Sequence, residues 1–135
     1  MTVVLCIDDS GGMMFNHRRQ SRDRYVYADI VKEKFSVLRM KEYSAPLFSD
    51  ETVETAVSER FLDDAEKGDL CFVEDEDITP YLPSIRRVIL YRWNRRYPYD
   101  MKFETDLDTE GFSLKETNEF SGYSHEKITK EIYER

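Results

Sequence analysis

Three short apolar runs constrain this chain more than anything else in it: TVVLCI at 2–7, LCFVE at 70–74 and VILYRW at 88–93. Each is too short for a stable helix and rich in β-branched or aromatic residues, so each reads as a strand. Consecutive apolar positions mean that both faces of such a strand are covered, as in the central strands of an α/β sheet. Turn signals bound them. The first run ends in Asp8-Asp9-Ser10-Gly11-Gly12, Gly68 precedes the second, and Pro80 and Pro83 separate the second from the third.

Between the strands, Tyr25, Val26, Ile30, Val31 and Phe35 fall at near-helical spacing, which predicts a helix over 22–35. SERFLDDAEK at 58–67 predicts a second, with Ser58 as its cap and Gly68 at its end. Val37–Met40 reads as a short strand, residues 47–58 as a loop, and Lys102–Thr105 and Phe112–Lys115 as edge strands. KITKEIYER suits a helix face or one side of a strand equally. The outcome is an α/β fold with a mixed, mostly buried sheet, and one domain over residues 1–135.

Seventeen Phe and Tyr residues together with Trp93 supply a core, although 36% of residues are charged. Cys6 and Cys71 each sit in an apolar run; a bridge would require neighbouring strands, whereas buried free thiols suit a reduced, cytoplasmic setting with no leader-like segment. No apolar run approaches the roughly 18 residues of a membrane span, so no membrane contact is expected. The net charge of −8 is unevenly spread. Residues 49–79 carry a net −10, whereas 17–24 and 86–96 carry +3 and +5.

VVLCIDDSGGMMFN, the pair GDLCFVED and PYLPSIRRVILYRWN, and the tail YDMKFETDLDTEGFSLKE with SHEKITKEIYER together resemble the dihydrofolate reductase fold. That resemblance implies an antiparallel C-terminal edge in which residues 127–133 form a strand. Reductases carry a paired-glycine turn for dinucleotide phosphates after a central strand. Here that place holds Glu74-Asp75-Glu76-Asp77, whose charges repel phosphate, so no cofactor is expected. IDDSGGMMFNHRRQSRDR and GYSHEKITKEIYER are also similar to a small bacterial family whose members are sometimes labelled ribonuclease Z. The metallo-β-lactamase motif of true ribonuclease Z enzymes is absent, and with only His17 and His125 no metal site is expected.

Polar variety concentrates in residues 8–24, beyond the end of the first strand, where α/β sheets commonly bind ligands. Arg18, Arg19 and Arg22 suit phosphate or carboxylate oxygens; Asn16, Gln20 and Ser21 offer neutral hydrogen bonds; Met13, Met14 and Phe15 offer a ledge for a flat ring. Arg92, Arg95 and Arg96 near the end of the third strand, and His125, complete the ligand-binding candidates. The expected ligand is small and anionic, such as a nucleotide. A second reading is a phosphodiester-cleaving or RNA-binding protein in which Asp8 or Asp9 pairs with His17 as general base. A third is a protein partner held by the segregated charges.

Overall fold

The computed structural model describes all residues, Met1–Arg135. The first run forms β1 (Thr2–Ile7), followed by a hairpin of β2 (Gly12–Phe15) and β3 (Arg18–Arg19). Then come helix α1 (Arg24–Ile30), β4 (Leu38–Met40), β5 (Thr55–Val57), a one-turn helix α2 (Phe61–Asp64) and β6 (Leu70–Phe72). The rest comprises β7 (Arg87–Arg92), β8 (Met101–Lys102), β9 (Ser113–Phe120) and β10 (Ile128–Glu134), with 3-10 turns at Ala45–Phe48 and Thr79–Ser84.

Seven strands make one mixed sheet in the order β5-β4-β6-β1-β7-β10-β9. β1 lies parallel between β6 and β7, and β10 and β9 add the antiparallel edge. The central strands bury both faces. Val3, Leu5 and Ile7 face one core with Leu62, Ile78, Leu82 and Leu90; Val4 faces the other with Val26, Ile30, Phe72, Ile89, Tyr91 and Trp93. Each such side chain contributes about 1.5–3 kcal/mol through burial. α1 covers the second face, while α2 and the Thr79–Ser84 turn cover the first, giving three layers.

Several boundaries differ from the sequence expectation for local reasons. α1 starts at Arg24 because Asp23 is extended (φ −153°) and caps Tyr25 N; it ends after seven residues, with Val31 N closing on Tyr27 and Asp29 carbonyls. α2 keeps only four residues, since Ala65 turns extended; the Ser58 hydroxyl caps the turn before it at Arg60 N. The supposed loop 47–58 contains β5, whose exposed side chains hide it from any hydrophobic pattern. Met101–Lys102 pairs with β2 in a small second sheet rather than along the main edge. The ambiguous tail is strand β10, with Ile128, Lys130 and Ile132 turned to the second core. Val3 is the register partner of Cys71, so Cys6, an odd number of positions along β1, points to the opposite face; both cysteines are free. No helix is long and apolar enough to cross a membrane.

β9 is the exposed edge of the sheet. Its register slips where Ile132 and Tyr133 oppose Glu116 and Leu114, leaving Lys115 as a bulged, unopposed residue. A bulge carrying a lysine, flanked by Glu116 and Glu119, is a common protection of an edge against unwanted pairing.

Candidate functional site

The chain leaves β1 toward α1 on one face of the sheet and leaves β6 toward the Thr79–Ser84 turn on the other. Connections that part in this way open a crevice beyond the carboxyl ends of the two strands. Cys6 from β1 and Phe72, Val73 and Glu74 from β6 line its floor, together with Arg19, Gln20, Ser21, Tyr27 and Trp93. The floor is nearly full: about 10 Å³ remains, barely the room of one water. Arg19 fills most of it with a two-pronged bond to Glu74 (Nε to Oε2 2.8 Å, Nη2 to Oε1 3.0 Å), and Ser44 donates a further bond to Glu74. Burial pushes the Tyr27 phenol up, keeping it neutral.

Above this floor, with Arg19 and Tyr27 as shared walls, lies an open hollow of 440 Å³. Two arginine–tyrosine stacks form its sides. The Arg19 guanidinium sits 4.2 Å from the Tyr43 ring centre, and that of Arg24 sits 4.4 Å from Tyr123. Arg22, Asp23, Pro46, Leu47, Asp50 and Ser124 complete the lining. Neither Arg22 nor Arg24 has a carboxylate within salt-bridge distance, unlike Arg19.

Beside the floor runs a buried hydrogen-bonded chain that links residues more than a hundred positions apart. Asp23 is 1% exposed and accepts from Tyr25 N, Tyr123 N, Ser124 N, the Ser124 hydroxyl and His125 Nδ1. Burial alone would raise its carboxyl; the donors from Tyr123, His125, Ser124 and Tyr25 outweigh it and hold the pKa at about 2. An ionised Asp23 only accepts, so His125 Nδ1, 2.9 Å away, carries the proton. In the neutral imidazole its Nε2 is the acceptor, 3.0 Å from both the Ser21 and the Tyr97 hydroxyls. Trp93 stacks on the imidazole at 4.7 Å and 23°, fixing the ring plane.

The sequence candidates separate clearly against this geometry. Ser21 and His125 meet, and Asp23, which in the sequence is only one acid among four arginines, joins them while also capping α1. Gln20 lies between Asp8 and the Pro98 carbonyl and leaves its Oε1 buried without a partner. Asp8 is committed to its own loop and its neighbours. Its carboxylate is fully buried and taken up by Ser10 N, Gly12 N, Tyr97 N and Gln20 Nε2, which tie the loop together. His17 cannot reach it: Asn16 and His17, both at positive φ, form the two-residue turn at the exposed tip of the β2–β3 hairpin, at the far end of β2 from Asp8. Asp9 is exposed and contacts neither histidine through its side chain.

Arg18 is exposed beside that tip, and Asn16 binds Asp100 through its backbone. Met13 and Met14 are core residues rather than a ledge, while Phe15 stays exposed. Arg92 points to the opposite face of the sheet from the hollow, paired with Glu131 at 2.8 Å. Arg95 and Arg96 are exposed, and Arg95 reaches the Ser124 carbonyl at 3.5 Å. The acids after β6 are partly spent within the chain, Glu74 on Arg19 and Asp75 and Glu76 on Lys41.

No family profile matches the sequence, and no curated protein matches it. Among solved structures the chain is similar to a dihydrofolate reductase from Enterococcus faecalis, complexed with NADP(H) and RAB-propyl. The TM-score is 0.68 at 9% identity over 99% of this chain and 95% of that one. The fold is therefore dihydrofolate reductase-like, an α/β architecture with the antiparallel C-terminal edge described above.

Proposed function

We infer that the chain binds a small anionic ligand with a flat ring in the hollow between Arg22, Arg24, Tyr43 and Tyr123. The observation carrying this reading is the pair of guanidinium groups outside any ion pair, Arg22 and Arg24, on the wall of a 440 Å³ hollow that also presents Tyr27, Tyr43 and Tyr123 and, as its acids, Asp23 and Asp50. Guanidinium forks suit carboxylate and phosphate oxygens, and tyrosine faces suit a ring. The electrostatics elsewhere favour the same place. A second cleft beyond β6 is lined by Glu76, Asp77, Asp100 and Glu104 against Lys102 alone, so an anion is steered away from it. The similar reductase holds NADP(H), a fold-level analogy that supports a small-ligand role without specifying the ligand. Nothing in the geometry favours Asp8, Asp9 and His17 as a phosphodiester-cleaving set.

The test is thermal unfolding against inorganic pyrophosphate, nucleoside monophosphates and aromatic carboxylates. A ligand at a hundred times its dissociation constant adds about 2.7 kcal/mol, a melting shift on the order of 10 °C for a chain this size. The joint change Arg22→Ala with Arg24→Ala removes the shift and lowers the ligand-free melting temperature by only a few degrees, since neither guanidinium holds an ion pair and only the exposed Arg24–Tyr123 stack is lost. A flat response across all three classes, or a shift that survives the double change, overturns the reading.

A further inference from the structure

The chain Ser21–His125–Asp23 has a use that ligand binding leaves unassigned. We propose that Ser21 is the nucleophile of an acyl-transfer site, with His125 as its base, Asp23 orienting that base and Tyr97 meeting the developing oxyanion, acting on small esters whose acyl part is anionic. The geometry is that of an activated hydroxyl. Ser21 Oγ lies 3.0 Å from Nε2, and Nδ1 lies 2.9 Å from Asp23 Oδ2, with the ring clamped by Trp93. The orienting end is buried, at 1% exposure for Asp23 and 4% for His125, whereas Ser21 and Tyr97 are half-buried. The working end of the chain thus faces outward.

Tyr97 supplies the third requirement. Its hydroxyl is 3.3 Å from Ser21 Oγ and 3.0 Å from Nε2. One assignment satisfies every group: Tyr97 O–H donates to Ser21 Oγ, and Ser21 O–H donates to Nε2. Once Oγ bonds to carbon, that phenolic hydrogen is released beside the new oxyanion. Gln20 sits beside the nucleophile. It lines the small void next to Ser21, and its buried Oε1 lacks a partner, because Asp8 and the Pro98 carbonyl are both acceptors and hold Nε2 toward themselves.

The step balances. Ser21 Oγ bonds to the carbonyl carbon while its proton passes to Nε2; the bond to the leaving alcohol breaks as Nε2 returns the proton to it. Water then repeats the sequence on the acyl-serine, releasing the acid and restoring the hydroxyl. The anionic acyl part rests on the hollow as an anion site, since Arg22 follows Ser21 in the chain and lines that hollow.

An alkyl fluorophosphonate probe followed by peptide mass spectrometry tests the assignment on the unmodified protein, with p-nitrophenyl hemisuccinate and p-nitrophenyl acetate as turnover substrates. The expected result is a single adduct on Ser21, hemisuccinate preferred at least tenfold, and no turnover in Ser21→Ala. His125→Ala slows labelling on the order of a hundredfold or more, and Tyr97→Phe slows turnover while the adduct stays on Ser21. Absence of an adduct on Ser21, turnover that persists in Ser21→Ala, or equal labelling in a folded His125→Ala overturns the proposal. Ser21→Ala leaves anion-induced stabilisation intact, so a failure here is told apart from a failure of the hollow. Loss of only the hemisuccinate preference, with labelling intact, would overturn the anionic substrate class.

Discussion

Replacing Asp23 by Asn isolates the group on which the site's architecture hangs. Oδ1 accepts from Tyr25 N and Tyr123 N, and Oδ2 from Ser124 N, Ser124 Oγ and His125 Nδ1. An amide keeps only one of these oxygens. In either orientation its NH2 faces at least two N–H donors, each a buried group whose lost partner is worth about 1–3 kcal/mol. Allowing for partial relaxation, the loss is about 3 kcal/mol, a large part of the roughly 5–15 kcal/mol that holds a domain together. Part of it depends on pH, and the sign follows from the shift. The folded carboxyl titrates at about 2 against an ordinary 3.8. Its contribution, about 2 kcal/mol from the shift alone, is therefore fully present above pH 4 and is lost as pH falls through 2. Urea unfolding of both proteins at several pH values from 7 down to 2 measures this directly. The gap between them should be near 3 kcal/mol at pH 7 and narrow only below pH 4, where other carboxylates cancel in the difference. A gap below 1 kcal/mol at neutral pH, or one that does not change with pH, would refute the account of Asp23 as an ionised, fully satisfied acceptor.

Other consequences are equally open to measurement. A Cβ at position 12 would lie 2.5 Å from Gln20 Nε2, 2.7 Å from Tyr99 Cβ and 3.0 Å from Asp8 Oδ1. Gly12→Ala should thus lower stability by about 1–3 kcal/mol in urea unfolding; no change would mean the loop is slacker than its contacts imply. Burial, reinforced by the Asp69 charge, pushes the Cys71 thiol up to about 12, and burial with Glu74 and Asp23 raises that of Cys6. Neither thiol should react with Ellman's reagent in the folded protein at pH 8, and both should react in concentrated guanidinium; prompt reaction of the native protein would contradict this. Lys130, 8% exposed, holds Asp29 at 2.8 Å and Glu33 at 2.6 Å. Lys130→Met leaves Asp29 with the Tyr91 hydroxyl and Glu33 with Arg87 but neither with its lysine, costing about 3 kcal/mol at pH 7 by the same unfolding assay. A change under 1 kcal/mol would mean the pair is already solvated.

The parts of the fold legible in the sequence are those whose burial is complete. β1, β6 and β7 announce themselves because both faces are covered, so no polar alternation interrupts them. β5 and most of β9 are invisible to the same reasoning, since their side chains face solvent and only backbone pairing makes them strands. The candidate site divides along a similar line. Ser21 and His125 could be picked out as polar residues in unusual company. Their partnership could not, because it depends on the β9–β10 hairpin bringing residues 123–125 back over the start of α1. The surroundings of Asp8 are hidden from the sequence in the same way. A carboxylate at a strand end looks catalytic until the backbone N–H groups of its own loop and of Tyr97 are seen to consume it.

The Arg19–Glu74 pair decides how the crevice can be used. Its two-pronged bond lies where β1 and β6 end, the place a doubly connected sheet offers to ligands, and it leaves room for at most one water. A ligand entering the floor would have to part the two charges and leave Glu74 facing an anion. One remaining above them meets Arg22 and Arg24 at no such cost, because those guanidinium groups have no ion pair to break. The acid that follows β6 thus closes the deep part of the crevice to phosphate twice over, by its own charge and by the arginine it holds there. The tyrosine-sided hollow is what remains for the anion proposed above, and Ser21 stands at the boundary between the two levels, in the segment joining Arg19 to Arg22.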